Sequence, residues 1–199
     1  MGRFTAQQRG VLLGVARAAL TNCLVFEQPV GEAVQQAVAA AYAPREPDPA
    51  LLADGACFVT LWQGEHGSLR GCRGEVAAHQ PLIRSVAHMA LAAALDDPRF
   101  RPLTAAEVPG LLIEISVLTP LEPIKPEAVE IGKHGLLLAR GSHRGLLLPE
   151  VAVEHHMDAE TFLDALCWKA GLPDGAWRDP GATLWAFETE AWEEPGTLL

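Results

Sequence analysis

Apolar positions fall at helical spacing from the start of the chain: Val11, Leu12, Val15, Ala16, Ala19 and Leu20 follow Thr5-x-x-Gln8, a pairing that caps a helix N-terminus. A first helix with a core-facing side is therefore predicted from Thr5. A second, alanine-rich helix is predicted over Glu32 to Tyr42, before Pro44, Pro47 and Pro49 impose an extended and exposed connector. The period then changes. Ala56 to Trp62 reads as a strand, residues 63–67 as a turn that includes His66, and Ser68 to Cys72 as the hairpin partner. Pro81 opens a third helix carrying Leu82, Ile83, Val86, Ala90, Leu91, Ala94 and Leu95, which runs out at Asp96-Asp97-Pro98.

Leu111 to Leu118 alternates as a strand with Ile113, Ile115 and Val117 on one face and Glu114 and Ser116 on the other. Leu136 to Arg140 and Leu146 to Leu148 flank Gly141-Ser142-His143-Arg144-Gly145, a second hairpin with a basic tip. Asp158 caps a helix through Phe162, Leu163, Leu166 and Cys167, and Leu184 to Glu190 reads as one last strand. Tight hairpins dominate the strand connections, so the fold class is α+β with antiparallel sheet hairpins and packed helices. Residues 1–199 are expected to form a single domain, with a helical part over 1–49 and a body over 50–199.

Composition narrows the function. A formal charge of −10 argues against a general nucleic-acid surface. The charge is uneven: residues 70–144 hold nine Lys/Arg against eight Asp/Glu, a balance of +1, and the remainder −11. No apolar run approaches the roughly 20 residues of a membrane span. The N-terminus lacks a secretory pattern, and Cys23, Cys57, Cys72 and Cys167 are spread with no C-x-x-C, which predicts reduced thiols in a cytosol without a disulfide framework or zinc site. No cofactor and no metal are expected.

Chemistry concentrates in Leu69-Arg70-Gly71-Cys72-Arg73-Gly74, where a thiol, two guanidinium groups and two glycines share six residues. Glycine permits positive φ or close backbone approach, and Arg70 and Arg73 directed at Cys72 would lower its pKa. The alternative is a tight strand end with a small buried cysteine. As a nucleophile Cys72 needs a base or cation within reach, and His134, His143 and His66 are the histidine candidates. Glu114 is either a general base or the partner of Arg70 in a buried ion pair. Convergence of Arg70, Arg73, Arg99, Lys133 and Arg144 would form a carboxylate or phosphate site.

These segments together resemble the AMMECR domain family (AmmeMemoRadiSam system protein A) over about Gly55 to Trp192. The resemblance is carried by Phe58-Val59-Thr60-Leu61, the cysteine motif, Asp97-Pro98-Arg99-Phe100, Ile113 to Leu118, Arg144-Gly145-Leu146-Leu147-Leu148-Pro149 and Lys169-Ala170-Gly171-Leu172. The family pattern usually has an aliphatic residue at the position of Arg73 and commonly Gln at that of Glu150. The resemblance implies two unequal lobes with the motif near a cleft, and association with a Memo-type protein and a radical SAM protein. It implies no reaction. The leading expectation is a cytosolic protein that binds a small anionic ligand around the motif, with Cys72, Glu114 and His134 as catalytic candidates. Its ligand-binding candidates are Arg70, Gly71, Arg73, Gly74, Arg99 and Arg144. A non-catalytic scaffold for the two partners is the alternative, and RNA or nucleotide binding the third.

Overall fold

The computed structural model describes residues 2–42, 48–63 and 67–195. Pro44, Pro47, Gly64 and His66 lie outside the described residues, so the expected connector and hairpin turn are described only at their ends. The fold is α+β, with helices and two antiparallel four-stranded sheets.

The chain divides into two units, residues 1–117 with 190–199, and residues 118–189. The division does not fall at residue 49: the N-terminal helices share one core with the first sheet.

In the first unit, α1 (Ala6–Leu20) opens with the expected capping box, in which Gln8 N donates to Thr5 Oγ1 and Thr5 N donates to Gln8 Oε1. A π-helical turn over Thr21–Val25 prolongs it, and α2 (Val30–Tyr42) follows. A short α3 (Pro49–Leu52) is capped by Asp48, whose Oδ1 accepts from Ala50 N at 2.9 Å. Strands β1 (Cys57–Gln63), β2 (Ser68–Gly74) and β3 (Leu111–Leu118) and helix α4 (Leu82–Leu95) complete its framework with β8 (Thr189–Glu193). The sheet order is β2-β1-β3-β8, which makes β2 an edge strand.

Alternation sets what this sheet buries. Cys57, Val59 and Leu61 of β1 and Ile113, Ile115 and Val117 of β3 turn inward against α1 and α4, each aliphatic side chain contributing about 1.5–3 kcal/mol by leaving water. Phe58, Thr60 and Trp62, with Glu114 and Ser116, occupy the other face.

The second unit holds β4 (Glu122–Pro123), β5 (Gly135–Arg140), β6 (His143–Leu147) and β7 (Ala182–Phe187) in the order β4-β7-β5-β6. Helices α5 (Pro149–Glu154) and α6 (Ala159–Lys169) join it, and Leu136 and Leu138 share a core with Phe162, Leu163 and Leu166. The single strand expected over Leu184 to Glu190 is instead two strands in different sheets, β7 and β8. Glu188 breaks them: its N–H donates to Thr119 Oγ1 at 2.8 Å and its carbonyl accepts from Thr119 N at 2.9 Å.

Candidate functional site

The motif fills β2, and its pairing with β1 contains a bulge. Leu61 faces Gly71 and Trp62 faces Leu69, so Arg70 is the extra residue. The bulge breaks the two-residue alternation that would have set Arg70 beside Cys72. Arg70 is buried and turned to Glu107, with Nε donating to Oε1 at 2.9 Å and its guanidinium 5.9 Å from the Phe100 ring centroid. Glu107 Oε2 also accepts from Thr104 N and Oγ1 and from Arg101 Nη1. The Arg70 contact, helped by Thr104 and Arg101, holds the Glu107 carboxyl down at about 2. The expected Arg70–Glu114 pair is thus replaced by Arg70–Glu107. The signal for Glu107 lay in Thr104-x-x-Glu107, a capping sequence.

The motif glycines do not take positive φ. They are required by space. A Cβ at Gly71 would lie 2.1 Å from the Ala93 carbonyl oxygen of α4, and one at Gly74 2.2 Å from the Phe58 ring. Gly71 therefore lets α4 lie directly on β2.

Cys72 faces Thr60, which faces Glu114, so the three form a row across adjacent strands on the face opposite α4. Thr60 Oγ1 donates to Cys72 Sγ at 3.3 Å. Glu114 Oε2 accepts from the Trp62 indole at 2.9 Å. Neighbouring strands lie about 4.8 Å apart, which sets Glu114 two strand spacings from Cys72 and beyond direct proton exchange with it.

At the sheet edge, Asp97 Oδ2 accepts the Cys72 N–H at 2.9 Å and Arg99 Nη2 at 2.7 Å, while Oδ1 accepts from Arg99 N and Nε. The Arg99 fork holds the Asp97 carboxyl far below the usual carboxylate range, and Asp97 in turn raises Arg99. Burial pushes the Cys72 thiol up, against the Thr60 hydrogen bond and the Arg99 charge; Asp97 and Glu114 raise it further. The lowered thiol pKa expected from Arg70 and Arg73 is therefore reversed, and Arg99 is the cation that acts on Cys72. Arg73 lies exposed near the end of β2, opposite Val59.

Other candidates belong to the second unit. His134 Nδ1 accepts from Glu130 N at 3.1 Å, His143 Nδ1 bonds the Ala170 carbonyl at 3.1 Å, and Lys133 pairs with Glu130 at 3.0 Å. Arg144 is exposed on β6, opposite Ala139. The cations grouped in sequence are thus divided between units, and Arg70, Arg99, Arg101, Lys133 and Arg140 each pair with a carboxylate. Among the described residues no cluster of three His, Cys, Asp or Glu is arranged to hold a metal. No helix among them is long and apolar enough to cross a membrane.

Known proteins are similar to this chain in sequence and in fold. A Thermofilum pendens protein is 36% identical over 213 residues, covering 98% of this chain and 93% of its own length. A Methanocaldococcus jannaschii protein is 42% identical over 145 residues, covering 69% of this chain and 72% of its own. The crystal structure of an uncharacterised protein from Pyrococcus horikoshii matches with a TM-score of 0.77 at 35% identity, over 92% of this chain and 89% of that one. The AMMECR1 family model matches residues 23–192, a span that holds the Cys72 motif, Asp97, Arg99 and Glu114, and the chain belongs to the AMMECR1 family.

Proposed function

We propose that this AMMECR1 protein is a binding protein whose sheet face around Cys72 takes a small carboxylate or phosphate, with Arg99 as the anion contact. The observation that carries the reading is the Asp97–Arg99 fork. Asp97 fixes the guanidinium through Nε and Nη2, yet the Arg99 side chain remains 55% exposed, leaving Nη1 to meet a ligand. Cys72 and Thr60 serve beside it as neutral hydrogen-bonding groups. The raised thiol favours binding over nucleophilic chemistry, because the thiolate is the reactive form. Arg73, exposed near the end of the same strand as Cys72, is a candidate for a further anion contact. The partners implied by resemblance, a Memo-type protein and a radical SAM protein, fit a non-catalytic role.

Thermal-shift screening of small metabolite carboxylates and phosphates tests this. A small anion is expected to raise the melting temperature of the wild type. Arg99→Ala is expected to abolish the response, and duplex RNA to give no salt-dependent binding near physiological ionic strength. An Arg99→Ala protein with an unchanged anion response would remove the site from this face.

A further inference from the structure

Beyond Arg99, the sheet face around Cys72 carries a second charged group at its other end. Cys72, Thr60 and Glu114 form one row across β2, β1 and β3, all half-buried. At the β2 end, Asp97 Oδ2 accepts from both Cys72 N and Arg99 Nη2, so the guanidinium sits one carboxylate oxygen from the Cys72 backbone. At the β3 end, the Trp62 indole N–H reaches across from β1 to Glu114 Oε2 at 2.9 Å and orients that carboxylate. The row therefore runs from a held cation to a held carboxylate, with a thiol and a hydroxyl between them. Two aromatic rings bound it. Phe58 and Trp62 flank Thr60 on the same face, about 13 Å apart along β1. The Phe58 ring lies over Gly74 of β2, where a Cβ would meet it at 2.2 Å, and Trp62 leans the other way, to β3. Between these rings the smaller Thr60 and Cys72 side chains form the floor of a trough that crosses the strands.

We infer that the ligand of this face is a zwitterion, an ω-amino carboxylate whose carboxylate meets Arg99 and whose terminal ammonium meets Glu114; the assignment rests on the Arg99 anion contact proposed above. An ammonium offers three donors and a carboxylate only acceptors, so the two ends of the row fix the direction in which such a molecule lies. The row spans two strand spacings, about 10 Å, and a hydrogen bond of about 2.9 Å at each end leaves roughly 4 Å or more between the amino nitrogen and the carboxylate oxygens. Three methylenes between the two groups span that distance. A dianion of the same length brings its second carboxylate against Glu114, where like charges repel, so the row selects against it.

The test is an NMR titration of the full chain at neutral pH with 4-aminobutyrate, butyrate and succinate, a zwitterion, a monoanion and a dianion of similar length. The wild type is expected to bind 4-aminobutyrate about fivefold or more tighter than butyrate, and succinate more weakly than either. Glu114→Gln keeps an acceptor for the Trp62 indole and is expected to erase this ranking while butyrate still binds; Arg99→Ala is expected to abolish binding of all three. Thermal melts establish that each variant folds, and the wild-type ranking decides the matter if Glu114→Gln does not. A wild-type affinity for 4-aminobutyrate that is absent or no higher than for butyrate or succinate would overturn the zwitterion, as would an unchanged ranking in folded Glu114→Gln, and either result leaves the Arg99 contact to the wider anion screen. Undiminished binding by Arg99→Ala would overturn both.

Discussion

Asp97 Oδ2 accepts the backbone N–H of Cys72 at 2.9 Å, so a carboxylate from the loop after α4 closes the open edge of β2. Unpaired N–H groups on an edge strand invite pairing with another chain. Here the same carboxylate also aims Arg99, which couples the position of the thiol to the position of the cation.

That coupling predicts the pH response of the thiol. Burial, with Asp97 and Glu114, holds Cys72 above its ordinary range, so alkylation by iodoacetamide should become fast only above the free-cysteine range of about 8.5. Arg99→Ala should move the midpoint further up and Glu114→Gln should move it down. Peptide-resolved mass spectrometry separates Cys72 from Cys23, Cys57 and Cys167. A wild-type midpoint well below pH 8 would restore the activated nucleophile.

The Arg70–Glu107 pair predicts acid sensitivity. Glu107 titrates at about 2 in the folded protein, below the ordinary value of 4.5. Its stabilisation is therefore complete above the unfolded value and is lost as pH falls from there toward 2. Glu107→Gln leaves the buried Arg70 guanidinium without its counterion, and at neutral pH should cost about 3–5 kcal/mol. Urea melts of both proteins should show that difference shrinking as pH approaches 3. A difference that stays constant would mean that the carboxylate charge contributes nothing.

Space rather than backbone conformation governs the motif glycines, which predicts unequal costs. Gly71→Ala drives a methyl against the Ala93 backbone oxygen, which cannot move without shifting α4, and should cost about 1–3 kcal/mol or more. Gly74→Ala meets a ring instead, and Phe58 is half-buried and able to turn, so its cost should be smaller. Thermal or urea unfolding of both variants ranks them. Equal and negligible losses would show that α4 does not lie on β2 as closely as described.

Much of the site was legible where a local rule applied. The Thr5 capping box, the Asp158 cap and the strand faces of Ile113, Ile115 and Glu114 follow from hydrogen bonds or alternation within a few residues, and the structure contains them. The end of the third helix at Asp96-Asp97-Pro98 was visible from its proline. The reach of Asp97 to Cys72 was not, because the partners are separated by 25 positions and meet at a sheet edge.

By itself the sequence determined the α+β class, most element positions, the concentration of chemistry in Leu69 to Gly74 and the family. Those rest on periodicity, capping and short motifs, which operate at the range of one or two turns of chain. Tertiary structure decided the partners. One bulge between β1 and β2 frees Arg70 from the Cys72 face and gives it to Glu107. One break at Glu188 divides an apparently continuous strand between two sheets. The alternation on either side of each irregularity looks the same in sequence, and long-range packing alone fixes the register and sheet to which each side belongs.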